Sequence, residues 1–223
     1  MTLRQSPITA SKAFAVPVRG LEWFNTRHPY SHNDYFHPWI LKNLPQRRRR
    51  ALDVGSGEGL LAARLAERFE HVDAADIDPA MRSATAERCA ALPVALLDGF
   101  DCAEGEYDLI TMVAALHHLP LRESLLRCRE LLAPGGRLLV VGLARQTLEP
   151  ADLIWELGSA VLNPVIGVIE HPRPHRGPRP QPPFPVAAPK ETVTEIASAA
   201  AGLSGARVTR RIPFRYTLYW TKP

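Results

Sequence analysis

Cysteine is scarce in this chain: Cys89, Cys102 and Cys128 are the only three in 223 residues. They are odd in number and lack metal-ligand spacing, which argues against a disulfide framework and for a reducing compartment. Long apolar runs are also missing. No stretch approaches the roughly 18 residues of a membrane span, and the opening MTLRQSPITASKAFAV lacks the sustained apolar core of a secretory signal. These absences lead us to expect a soluble, cytoplasmic protein with no membrane partner. His171 and His175 have i, i+4 spacing, but the prolines between them forbid the helix that would align them as ligands. No metal is expected, and no internal repeat is visible.

What is present is ordinary globular material, 46% hydrophobic and 22% charged. The length fits one domain with room for an insertion, large enough to bury about 70% of its unfolded surface. The formal net charge is +4, and Arg47 to Arg50 supply much of the excess. Such a run is either a patch for phosphates or a solvated turn on the far side of a sheet, and we favour the turn.

From Arg50 onward short apolar runs alternate with longer amphipathic ones, the mark of a parallel α/β sheet. Strands are predicted at 50–54, 71–76, 93–97, 107–114 and 137–143. Helices are predicted at 58–69, from Pro79 onward, at 121–132 and at 190–201. Pro134-Gly135-Gly136 is expected to stop the helix before the fifth strand. Residues 206–220 read as two antiparallel strands around Pro213, because the connection is too short for a crossover. Two segments stand apart. Residues 1–44 form an N-terminal cap crowded with aromatics and histidines, and 45–223 form the main domain. Within that domain 144–189 is an insertion ending in HPRPHRGPRPQPPFP, whose proline density favours an extended path.

The central motif is Asp53-Val54-Gly55-Ser56-Gly57-Glu58-Gly59, which follows an apolar strand and opens a helix. Glycine permits the sharp turn there and lets a ligand approach the backbone. Asp76 closes the second strand, where a carboxylate in a Rossmann-like unit meets a ribose diol. Ile77 is placed to pack on an adenine face. Asp98 closes the third strand within reach of an adenine amino group, with Gly99 and Phe100 just beyond. Each acid alone reads equally well as a cap or a solvated residue. Three at the ends of three successive strands point to one nucleoside ligand.

Over residues 50 to 143 the chain resembles the class I S-adenosylmethionine-dependent methyltransferases. The resemblance is carried, in order, by ALDVGSGEG, ADIDPAM, LLDGF, EYDLITMVAALHHL and ELLAPGGRLLVVGL. The LHHL variant looks like the small-molecule subgroup that includes the ubiquinone and menaquinone methyltransferases. The resemblance implies a Rossmann-like doubly wound sheet of about seven strands, mostly parallel with one antiparallel. It also implies S-adenosyl-L-methionine as cofactor and S-adenosyl-L-homocysteine as product. Gly55, Ser56, Gly57 and Gly59 would contact the methionine part, and Asp53 would orient the loop or reach the amino group through water. Asp76 would bind ribose, and Asp98 with the Gly99–Phe100 backbone would bind adenine. A nicotinamide-dependent oxidoreductase usually shows GxGxxG, whereas here the glycines fall as GxGxG.

His117 and His118 follow the fourth strand at the ligand-binding edge and are the candidate bases, although paired histidines there can equally just shape a pocket. Tyr30, Tyr35 and His37 in the cap and Trp155 in the insertion are the candidate acceptor contacts, with His28 and His32 as further options. ALHHLP stands where base-nitrogen methylation would call for Asn/Asp-Pro-Pro-aromatic, and no Pro-Cys pair suits a cytosine C5 mechanism. The expected acceptor is therefore a small molecule: a phenol, hydroxyl or activated carbon of a quinone-like or secondary metabolite. The alternatives are RNA or protein methylation, supported only by the basic charge, and cofactor binding without turnover. Oligomeric state is left open.

Overall fold

The computed structural model describes residues 33–147, 187–212 and 215–223, together with Asp152, Trp155, Gly158, Ser159 and Leu162. Two compact units are formed. One comprises residues 36–145, 187–211 and 215–223, and the other comprises residues 1–35, 146–186 and 212–214.

The first unit is built on a seven-stranded sheet: β1 (Arg50–Val54), β2 (His71–Ala75), β3 (Val94–Leu97), β4 (Tyr107–Val113), β5 (Leu132–Gly142), β6 (Arg207–Arg211) and β7 (Arg215–Thr221), in the spatial order β3-β2-β1-β4-β5-β7-β6. β1 to β5 pair in parallel, and β7 runs antiparallel to both β5 and β6. The order reverses between β1 and β4, which opens a crevice at the carboxyl ends of those strands.

Helices cover both faces because both faces are apolar. Leu52, Val54, Ile110, Met112, Leu138 and Val140 pack on one side against α4 (Leu121–Leu131) and α5 (Val193–Ala200). The alternate positions Ala51, Leu109, Leu139 and Val141 pack on the other against α1 (His37–Lys42) and α2 (Leu60–Ala66). This period-2 division within near-continuous apolar runs is what a parallel sheet buried on both faces requires. Leu61, Leu65 and Phe69, the fourfold apolar row read from sequence, are all buried. The next helix, α3 (Pro79–Arg88), begins with Pro79 behind an Asp78 N-cap whose carboxylate accepts from Ala80 N at 2.8 Å. A Thr192–Glu195 capping box starts α5.

The largest boundary difference from the sequence reading is at the start of β5. The fifth strand begins at Leu132, so Pro134-Gly135-Gly136 lies inside a strand with an irregular register rather than before it. Gly135 N donates to Lys222 O, and Lys222 N donates to Gly136 O, both at 2.9 Å. Pairing with the chain's last residues extends the strand through the glycines. The strands around Pro213 are antiparallel as expected, although Pro213 itself lies outside the described residues.

The Arg47–Arg50 run lies at the amino edge of the sheet, opposite the crevice. Arg47 pairs with Asp108, whose other oxygen accepts from the backbone amides of Arg49 and Arg50 at 2.7 and 3.2 Å. Arg50 pairs with Asp73 at 2.6 Å, and the Tyr107 hydroxyl donates to the same carboxylate at 2.7 Å. Much of the run's positive charge is matched within the fold.

Candidate active site

At the end of β1 the chain turns through Gly55 and Gly59, with φ of 70° and 75°, dihedrals that disfavour any side chain. Contact also excludes one. A Cβ on Gly55 would fall 2.6 Å from the Ala115 methyl, and one on Gly59 would fall 2.7 Å from Thr85 Cγ2. Gly55 and Ser56 amides donate to Ala75 O at 2.7 and 3.1 Å, fixing the loop to the end of β2. The Thr85 hydroxyl donates to Gly57 O at 2.8 Å. Gly57 itself faces open space, where a Cβ would meet nothing within 4 Å.

Asp76 stands at the other wall. Its Oδ2 accepts from Gly57 N and its Oδ1 from Asp78 N, both at 2.9 Å, which leaves each oxygen a lone pair for a further donor. Arg82 joins two of the strand ends, donating to Asp76 O at 2.9 Å and pairing with Asp98 at 3.0 Å. Ile77 is 75% exposed, and its Cγ2 lies against Gly99. An apolar side chain so exposed beside two carboxylates suits the face of a flat ring. The Phe100 ring, by contrast, is buried in the core, so Phe100 presents only backbone to a ligand and cannot close over the ring.

Asp53 is buried beneath the loop. Thr111 donates to its Oδ1 at 2.8 Å, while Oδ2 has no partner. Burial raises its pKa to about 7; the Thr111 hydrogen bond opposes the shift, and the Asp76 charge adds to it. The Ser56 hydroxyl is likewise buried without a partner. Buried polar groups are ordinarily bonded. Two orphans flanking an open glycine cradle fit a ligand that brings a donor to Asp53 and polar atoms to Ser56. The amino-acid end of S-adenosylmethionine has that chemistry.

Just past β4 stands Ala114, whose φ of 54° makes it the one non-glycine left-handed residue among those described. Its amide donates to Val141 O at 2.8 Å. The turn then carries Ala115 against Gly55 and brings the His117 and His118 rings together, centroids 4.0 Å apart and planes tilted by 40°. His117 Nδ1 is buried without a partner. Burial, then the His118 and Arg215 charges, lower its pKa to about 4. His117 is therefore neutral at pH 7, able to make a hydrogen bond but a weak base.

Of the acceptor-wall candidates, Tyr35, His37 and Trp155 are among the described residues. His37 is buried at the start of α1, with Nδ1 3.1 Å from Arg64 Nη1 on α2, and burial followed by the Arg64 charge lowers its pKa to about 4. That contact fixes α1 to α2. Tyr35 and Trp155 are each 37% exposed. Tyr30, His28 and His32 lie outside the described residues. Arg82, Thr85 and Thr111 were not found from sequence. Each acts through a partner that only strand register or helix docking supplies, and none sits in a local motif. Among the described residues no group of three or more His, Cys, Asp or Glu could hold a metal, and no helix is long and apolar enough to cross a membrane.

Residues 52–138 match the family model described as a methyltransferase domain. An uncharacterized methyltransferase of Mycobacterium tuberculosis (strain H37Rv) is 33% identical over 205 residues, covering 87% of this chain and 98% of that protein. A ubiquinone biosynthesis O-methyltransferase of Marinobacter nauticus is 32% identical over 112 residues, 41% of this chain and 43% of that one. Among solved structures, the magnesium protoporphyrin IX methyltransferase of Synechocystis with bound SAH superposes with a TM-score of 0.53 at 18% identity, covering 93% of this chain and 87% of that one. With its sheet order, glycine loop and strand-end acids, this chain belongs to the class I, S-adenosylmethionine-dependent methyltransferase family.

Proposed function

We propose that this enzyme transfers the methyl group of S-adenosylmethionine to a small-molecule acceptor. The observation that carries the reading is the glycine cradle with the Asp53 and Ser56 orphans on one side and Asp76 with exposed Ile77 on the other. When bound, the cofactor supplies an electrophilic methyl on a positively charged sulfur. Asp76 holds the ribose hydroxyls, and Asp98 with the Gly99–Phe100 backbone holds the adenine edge. Ile77 covers one adenine face, and the Gly55–Gly59 loop with Asp53 seats the amino-acid end.

Held there, the cofactor would supply chemistry in which an acceptor lone pair would take the methyl carbon while the electron pair of the broken S–C bond would stay on sulfur. The protein's task is to hold the acceptor in line about 3 Å from the methyl and to keep water out. His117 and His118 border that position after β4. His117 orients the acceptor through a hydrogen bond, and any proton the acceptor loses goes to the exposed His118 or to solvent. The pairing of Arg47 with Asp108 and of Arg50 with Asp73, at the opposite edge, supports a small acceptor over RNA.

Calorimetric titration of S-adenosylmethionine tests the reading. Binding in the micromolar range is expected, weakened about tenfold or more in Asp76→Asn, as for loss of a charged hydrogen bond of 1–3 kcal/mol. Absence of binding to the wild-type protein would overturn it.

A further inference from the structure

One face of α3 holds the backbone around the crevice. Arg82, Thr85 and Arg88, spaced three apart and so on one side of the helix, donate to Asp76 O at 2.9 Å, Gly57 O at 2.8 Å and Glu58 O at 2.7 Å. Arg88 keeps to a single turn, since its carboxylate partner, at 3.8 Å, is Glu58 itself. Arg82 reaches two. Its Nη1 takes Asp76 O just past β2, while its Nε pairs with Asp98 Oδ1 at 3.0 Å just past β3.

The partners of that pair differ in exposure, 21% for the Arg82 side chain and 78% for that of Asp98. A pair so open to water adds little to stability, so the backbone bond alone would serve to dock the helix. What the pair does change is the direction of the carboxylate. An exposed aspartate turns freely unless something holds it, and a guanidinium anchored by a second contact is a rigid holder. With Oδ1 engaged, Oδ2 is left to accept a further donor. Ile77, the exposed apolar side chain suited to a flat ring, lies between the same two turns with its Cγ2 against Gly99.

We propose that Arg82 is a positioning residue for the cofactor's base: by holding Asp98, it makes the site select a 6-amino purine over a 6-oxo purine. This rests on the cofactor reading above and deepens it. Adenine presents a donor at its 6-position and an acceptor at N1, and a 6-oxo purine presents the reverse. A loose carboxylate can turn to whichever of the two positions offers an N–H. A held one accepts at the 6-position only, and meets an oxygen there when the base is wrong. Such an unmet polar contact is what gives a site its selectivity. Arg82 acts through Asp98, and not on the ligand.

The test is calorimetric titration of the full chain with S-adenosylhomocysteine and with S-inosylhomocysteine, which differ at the base alone. Wild type is expected to bind the adenosyl compound tenfold or more tightly, as for loss of a charged hydrogen bond. Arg82→Leu should lower that ratio at least fivefold. Asp98→Ala should lower it as far, and the double substitution no further, because the two residues act as one unit. An Arg82 that only docks the helix would weaken both ligands equally and leave the ratio as it was, which overturns the proposal. A wild-type protein without preference overturns it too. If Arg82→Leu does not fold, Arg82→Lys decides, since it keeps the charge without the fork: its ratio must fall between those of wild type and Asp98→Ala. Failure of S-adenosylhomocysteine to bind wild type would sink the methyltransferase reading as well. Binding with a ratio indifferent to Arg82 sinks this proposal alone.

Discussion

The two edges of the sheet treat buried aspartates in opposite ways. At the amino edge Asp73 and Asp108 are 2% and 3% exposed, and each is matched. Arg50, Tyr107 and His71 meet Asp73, while Arg47 and two backbone amides meet Asp108. At the carboxyl edge Asp53 is as deeply buried, yet one of its oxygens has no partner, and Ser56 and His117 each hold an unmatched atom close by. A closed network holds elements together, whereas one with unmet atoms is complementary to something not made of protein. Burial alone does not tell a structural aspartate from a functional one.

Breaking the closed edge gives the largest expected effect. Asp73→Ala leaves Arg50 and Tyr107 without their shared acceptor and should lower stability by about 3–5 kcal/mol in denaturant unfolding. A loss under about 1 kcal/mol would show that the amino-edge network is no more structural than its counterpart.

At the open edge the contrast sharpens with pH. Because the folded-state pKa of Asp53 is raised from 3.8 to about 7, the native state holds that proton better than the unfolded chain does. The associated stability is fully present below about pH 4 and is lost as pH rises through about 7. Asp53→Asn should remove this slope, gaining roughly 2–4 kcal/mol on wild type between pH 4 and pH 8. Parallel pH–stability curves for the two proteins would contradict it.

Ala114→Gly should relieve the left-handed backbone and stabilise by up to about 1 kcal/mol, read as a small rise in melting temperature. The smallest signal belongs to His117. With its pKa near 4, no inflection in kcat/KM between pH 5 and 8 should vanish when His117 is replaced by Asn.

The succession of strands and helices along the chain was legible in the sequence because it rests on local signals: apolar runs of strand length alternating with amphipathic ones, and the GxGxG turn after the first strand. The start of β5 was misread because the Pro-Gly-Gly pattern is a local stop, and its pairing partner, Lys222, lies far along the chain. Thr111 reaches Asp53 only through β1–β4 register, and Arg82 reaches Asp98 only once α3 docks beside β3. Ala114 gives no warning, since alanine ordinarily avoids positive φ. His37 looked like an available imidazole, but its aromatic and apolar neighbours form the packing face of α1. Whether a polar side chain in such a stretch faces ligand or helix is decided by docking, not by composition.

The contact between Gly55 and Ala115 has a consequence for how this sequence can evolve. The two positions belong to different motifs, yet they occupy a single steric slot, with 2.6 Å between the methyl of one and where the methyl of the other would stand. Neither can drift alone: a larger residue at 115 is barred while the loop keeps its path, and a side chain at 55 demands a smaller residue at 115 as well as a new backbone turn. Among descendants of this chain the two positions should therefore change together or stay fixed, a correlation across 60 residues of sequence that one van der Waals contact is enough to impose.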